Sequence, residues 1–313
     1  MTDRVLNIAL SFDAEMDVFD TSIASPRALE WRGIEQGIPL INDILADHRD
    51  SRGRRACVTW FVRCDDQIES MTGSRAYLLE HYRHLWLEHQ NRGDEIGFHP
   101  HLYCQDAGRW KQDTDPDALR EQIFRAFEAM KHAGFYTTVS RIGEAFSSNA
   151  IMNALEEAGI RCDSTAMPGR VREDGDRNFN WANTPAYSYH PSEQDYRVPR
   201  KRIRPLIEVP MSMLKTRADY DRAPCMRYLD LSFHPRALQG GVPTLVANTD
   251  TIVTVTHPSA VLPGNASHGL LSFSPEAFAD NLRALLEESS RQDRPVRFVT
   301  LRDIAINKVP HEC

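Results

Sequence analysis

Four polar clusters in this chain of 313 residues hold side chains of the types that do hydrolytic chemistry: Asp13 with Glu15, His99-Pro100-His101, Arg141, and His257. His99 and His101 lie two residues apart, so on an extended backbone both imidazoles point to one side and can share one ion. Pro100 favours that geometry, because the residue before a proline is driven into extended conformations. Two neutral imidazoles with a carboxylate and open water positions form a common hydrolytic metal centre. The plainer reading is coincidence, since a chain with 12 histidines holds some close pairs by chance. Asp13 and Glu15 pose a similar choice. Two carboxylates on one side of a strand end repel each other unless a cation or proton lies between them. A metal would relieve one and leave the other as a base toward water. The alternative is a solvated acidic loop, which Asp17 and Asp20 nearby would continue. Arg141 could hold a catalytic carboxylate by a bidentate pair, or stand on the surface. His257 is placed to protonate a leaving group, or is a hydrogen-bonded structural histidine.

All four clusters fall at the carboxyl end of a predicted strand. The runs Val5–Phe12, Cys57–Val62, Glu95–Phe98, Tyr136–Ile142, Leu206–Val209, Ile252–Thr256 and Val296–Leu301 are rich in β-branched and aromatic residues and bounded by polar or Gly/Pro stretches. Helical patterns separate them. Asp115-Pro116 opens one helix as N-cap and first-turn proline, with Leu119, Ile123, Phe127 and Met130 as its apolar stripe and Gly134 at its close. Ser148 caps the next, in which Ile151, Leu155 and Ala158 share a face before Gly159. Ser274-Pro275 starts a late one with Phe278, Leu282, Leu285 and Leu286 inward, and a further helix is expected over Arg75–Gln90. Strand–helix alternation over most of the chain predicts parallel pairing with right-handed crossovers. About seven such strands suit a barrel, open or closed, whose strand carboxyl ends share one face where catalytic groups collect.

One stretch does not fit the alternation. Ala166 to Arg204 carries scattered Gly, Asn and Pro together with Phe179, Trp181, Tyr187, Tyr189 and Tyr196. Its aromatic content predicts an ordered excursion over the barrel mouth rather than a disordered linker. Trp31, Trp181 and Tyr187 are candidates for stacking on a sugar, and each is equally readable as core. The basic run Arg197–Arg204 (RVPRKRIR) could meet a phosphate on a substrate, or be a solvated loop.

Composition narrows the function. With 37 basic and 44 acidic side chains the formal net charge is −7, which disfavours nucleic acid or an anionic membrane as the main partner. No apolar run reaches the roughly 20 residues that cross a bilayer. Met1 to Leu10 lacks the pattern of a signal peptide, so a cytoplasmic location is expected. The six cysteines are scattered with no CxxC, which argues against a thiolate zinc site or a disulfide framework. There is no phosphate-binding loop with a lysine and no GxSxG elbow.

The constellation as a whole resembles the metal-dependent polysaccharide deacetylases, the NodB-like carbohydrate esterases. Ser11-Phe12-Asp13-Ala14-Glu15 looks like their first motif, and Ala56–Val62 (ACVTWFV) is similar to their second strand. Asp94–His99 (DEIGFH) resembles the approach to their first histidine ligand. Arg141 matches the arginine of their third motif, followed by Asn153–Gly159 (NALEEAG) and Asp163-Ser164-Thr165, and Val253–His257 (VTVTH) looks like their last motif. Three features depart from the usual pattern. The first-motif acids are separated by Ala14. The usual histidine spacing of four would fall on Tyr103, so His101 substitutes. Arg141-Ile142-Gly143-Glu144 stands where proline and an aromatic normally follow the arginine.

The resemblance implies a single NodB-like domain over residues 1–313, a distorted (β/α) barrel of seven or eight parallel strands with an irregular insertion at about 166–204. It implies metal-dependent removal of an N-acetyl group from a sugar. Asp13 would be the general base, Glu15, His99 and His101 the metal ligands, Arg141 the group orienting Asp13, and His257 the acid. The expected cofactor is a divalent metal, zinc first. The expected partner is a small molecule or oligosaccharide carrying N-acetyl groups, such as a cytoplasmic precursor in surface polysaccharide biosynthesis. Two alternatives stay open: a metal-independent cyclic amide hydrolase of the same fold, and an inactive member that binds a glycan or a partner protein.

Overall fold

The computed structural model describes residues 4–17, 30–175, 177–200, 204–263 and 269–308. Asp20, Cys313 and part of the basic run (201–203) lie outside them. The chain divides into two compact units, each assembled from separate stretches. Among the described residues, the first holds those of 4–17, 30–59 and 211–300, and the second those of 60–210 and 301–308.

Among the described residues eight strands pair in parallel: β1 (Leu6–Ala14), β2 (Val58–Arg63), β3 (Glu95–His99), β4 (Val139–Ser140), β5 (Cys162–Asp163), β6 (Ile207–Glu208), β7 (Thr251–Val253) and β8 (Val296–Phe298). In the first unit β1 lies between β7 and β8, with Asn7 opposite both Thr251 and Arg297. In the second unit the order is β2, β3, β4, β5, β6, with Phe98 opposite Ser140, and Asp163 opposite both Ser140 and Glu208. Consecutive parallel neighbours joined by helices are what the alternation predicts. β1 to β3 are buried along almost their whole length, as strands covered on both faces must be. β5 is absent from the sequence reading, because two residues ending in an aspartate carry no strand pattern.

The helix ends follow the expected chemistry. Asp115 accepts hydrogen bonds from the backbone N–H groups of Asp117 and Ala118, and Leu119, Ile123, Phe127 and Met130 are buried beneath Pro116–His132. Ser148 caps Asn149–Ala158 through Ile151 N–H, and Gly159 ends it with φ 102°. Ser274 caps Pro275–Arg291 through Ala277 N–H, and Phe278 packs on Phe12 of β1, ring centroids 6.1 Å apart. The expected helix over Arg75–Gln90 is instead two, Tyr77–His81 and Arg83–Asn91. The break falls at Tyr82, and the Trp86 indole N–H reaches back across it to the Leu78 carbonyl.

Among the described residues three antiparallel hairpins, not foreseen, fill connections that read as irregular: Tyr103–Asp106 with Arg109–Gln112, Val171–Asp174 with Arg177–Asn180, and Met213–Thr216 with Cys225–Tyr228. The second orders the described part of the 166–204 excursion, in which Phe179, Trp181 and Tyr189 are buried. The described arginines of the basic run are paired with acids: Arg197 with Asp195, Arg200 with Glu193, and the buried Arg204 with Glu156. Among the described residues no helix is long and apolar enough to cross a membrane.

Candidate functional site

The histidines stand at the carboxyl end of β3, in the second unit. His99 and His101 are 2% and 6% exposed, with ring centroids 5.2 Å apart. His99 Nδ1 lies 2.7 Å from the Arg141 carbonyl oxygen. A carbonyl only accepts, so Nδ1 carries the proton and Nε2 keeps the lone pair that a metal would take. The neighbouring strand is laced to this loop, Arg141 N–H donating to the Phe98 carbonyl and Gly143 N–H to the Pro100 carbonyl.

His101 is held from several sides. Its backbone N–H donates to Asp65 Oδ2, 3.0 Å away. Asp65 is itself fixed by Arg63 Nε at 2.8 Å and caps the helix Asp66–Thr72 through Ile68 N–H. Asp65 is buried, which by itself would raise its pKa, but Arg63 and His101 together bring it below the usual carboxylate range. The His101 ring lies directly on Gly143, where any Cβ would overlap it. Tyr103 stands beside the ring, its hydroxyl 3.3 Å from Nδ1. The hydroxyl donates in turn to Glu144 Oε1, also at 3.3 Å.

Arg141 is 1% exposed. Its guanidinium lies over the Phe61 ring, 4.2 Å from the centroid, and donates from Nε to the Ser164 carbonyl at 2.9 Å. The surface alternative for this arginine is thereby removed. Ile142 N–H donates to Thr165 Oγ1, so the Asp163-Ser164-Thr165 run braces the loop after β4.

The carboxylates and the third histidine belong to the first unit. Asp13 and Glu15, at and just past the end of β1, are 5% and 6% exposed, which rules out a solvated acidic loop. His257 Nε2 lies 3.1 Å from Glu15 Oε1. Burial alone would lower the His257 pKa. The Glu15 hydrogen bond and the charges of Glu15, Asp13 and Asp230 outweigh it and push the imidazole up to about 9. Asp230 is fully buried, its Oδ1 accepting from Ser232 and Thr256. The His257 segment rests on a pair of glycines in the turn Gly33–Gly37. A Cβ at Gly37 would overlap the Pro258 carbonyl, and one at Gly33 would come within 2.7 Å of Ser259 N.

Of the candidate stacking residues, Trp31 is half-buried and Tyr187 is 64% exposed. Trp181 is wholly buried, with its indole N–H on the Ala145 carbonyl and its ring edge-on to Tyr196. It packs the excursion and has no open face for a sugar. Sequence reasoning missed Asp65, Asp230, Gly143 and Glu144. Asp65 had a usable signal, since it stands just past a strand's carboxyl end like the residues that were found. Asp230 had none.

No protein-family model matches the chain, and no curated protein matches it. Solved structures do. The chain is similar to a protein of Mycobacterium smegmatis described as a polysaccharide deacetylase, at 18% identity and TM-score 0.53, over 97% of this chain and 90% of that one. It is also similar to a protein of Parabacteroides distasonis described as a glycoside hydrolase/deacetylase, at 12% identity and TM-score 0.60, over 96% of this chain and 70% of that one. At such identities the likeness concerns architecture. The chain has the NodB-like polysaccharide deacetylase fold, a distorted (β/α) barrel class.

Proposed function

We propose that this chain is a single-domain, metal-dependent hydrolase that removes an N-acetyl group from a sugar. The observation that carries the reading is the His99–Arg141 carbonyl hydrogen bond, which leaves a buried imidazole with its lone pair on Nε2, beside a second buried imidazole. Glu15, His99 and His101 each offer one ligand atom. One carboxylate and two imidazoles form a donor set that suits zinc. When bound, a divalent ion would polarise the acyl carbonyl and acidify the attacking water.

The protein's own groups do the rest. Asp13 takes the proton of the attacking water, and Arg141 orients that carboxylate. His257, kept protonated by the acids around it, gives its proton to the departing amine nitrogen. The fold similarity to proteins described as deacetylases supports a sugar substrate. The expected substrate is a small molecule or oligosaccharide, and a cytoplasmic precursor of a surface polysaccharide fits that class.

The Glu15–His257 contact favours a second reading, in which Glu15 serves the histidine rather than a metal and the chain hydrolyses a cyclic amide. A panel of N-acetyl sugars and cyclic amides, assayed with wild type, Asp13→Asn and His99→Ala, separates the two. Loss of N-acetyl hydrolysis in both variants is expected. Full N-acetyl activity in both would overturn the assignment, and cyclic-amide activity that survives His99→Ala would favour the second reading.

A further inference from the structure

We infer that Tyr103 and Glu144 are positioning residues that fix the protonation and orientation of His101, and that the hairpin Val171–Asn180 anchors them. This rests on the proposed metal-ligand role of His101. Glu144 can only accept as a carboxylate, so the Tyr103 hydroxyl must donate to it across their 3.3 Å contact. The tyrosine oxygen then has its lone pairs facing His101 Nδ1, 3.3 Å away, and Nδ1 must carry the proton. His101 Nε2 is thereby left as the ligand atom, the same outcome that the Arg141 carbonyl produces on His99 by a different device. A negative charge at the far end of the chain polarises the hydroxyl and makes the imidazole a stronger donor to a metal.

Two further observations show that this arrangement is built. Glu144 and Ala145 sit in the left-handed region at φ 59° and 54°, where side chains other than glycine are strained. The chain holds that conformation directly after Gly143, whose missing Cβ admits the His101 ring. Arg172 and Arg177, on the two strands of the hairpin, each reach Glu144 at 3.4 Å, one on each carboxylate oxygen. Hence the excursion holds the carboxylate that orients Tyr103.

The contacts are long for their type, so the effect belongs at the lower end of the range for a supporting group, about 10-fold in metal affinity. Cobalt(II) binding to the full chain, followed by its visible spectrum and by competition with a chelator, reads this without any substrate. Tyr103→Phe should weaken cobalt binding about 10-fold and alter the spectrum. Glu144→Gln should weaken it in the same direction, and the double variant should be no weaker than Tyr103→Phe, because both act through one chain. Thermal melts of the apo-proteins check that each variant folds. Unchanged cobalt affinity in Tyr103→Phe, or losses from the two substitutions that simply multiply, would overturn the inference while leaving the metal centre standing. His101→Ala distinguishes the failures: wild-type cobalt affinity in that variant, or no cobalt uptake by wild type, overturns the ligand role itself and the inference with it.

Discussion

The two groups of residues assigned to the proposed site are held by different physics. On the histidine side, His99 and His101 are fixed by directed hydrogen bonds and by shape: a backbone carbonyl, a tyrosine hydroxyl, the Asp65 grip on a backbone N–H, and a glycine that makes room for a ring. On the carboxylate side, His257 is set by the Glu15 hydrogen bond and by the charges of Glu15, Asp13 and Asp230. The difference matches the tasks proposed for them. A metal ligand must present a lone pair in one direction, which geometry secures. A proton donor must stay charged until the leaving group needs its proton, which nearby acids secure.

Substitutions that act on shape should therefore hurt the histidine side most. Gly143→Ala forces the His101 ring off its seat, and a ligand displaced by an ångström costs on the order of 100-fold in rate. Assays of kcat/KM and cobalt affinity should fall together; a fall in kcat/KM with cobalt affinity intact would break the comparison. The corresponding change on the other side is Gly37→Ala, which pushes the turn away from Pro258. It should destabilise the fold by about 1–3 kcal/mol in urea titrations, with cobalt affinity nearly unchanged.

A pH series sharpens the contrast away from both groups. Burial, and then the facing Asp163, raise the Glu208 pKa well above its ordinary 4.5. The folded chain therefore keeps a proton that the unfolded chain loses, and stability falls as pH rises from about 4.5 toward the folded value, by up to about 1.4 kcal/mol per pH unit. Glu208→Gln should flatten that decline in urea midpoints taken between pH 5 and pH 8. An unchanged slope would mean that the Glu208 carboxyl is already ionised in the fold. The smallest effect is expected from Asp115→Ala, which removes an exposed helix cap for about 1 kcal/mol. Thermal melts should show that loss with activity unaffected, and a large activity loss would mean that stability rather than local geometry governs the assays.

Strands long enough to alternate or to run apolar were legible in the sequence; β1, β2 and β3 lie within one or two residues of their expected bounds. Helix ends were legible too, because Asp115, Ser148 and Ser274 cap by local chemistry. β4 keeps only Val139–Ser140 of its expected run, as Tyr136 at the start is 71% exposed. The functional residues were read from type and from position at strand ends, and that rule says nothing of groups that act through a neighbour. Glu144 reaches His101 only through Tyr103 and a left-handed turn, and Asp230 reaches His257 only after a hairpin that the sequence did not announce. Such contacts depend on tertiary packing, for which a single sequence has no period.

The most direct test of the account is the metal content of the purified full chain, measured by elemental analysis beside a His99→Ala/His101→Ala double variant. About one divalent ion per chain is expected in the wild type, with its loss in the variant. No metal in either protein, even after soaking with zinc, would contradict it and leave the charged Glu15–His257 side to act without an ion.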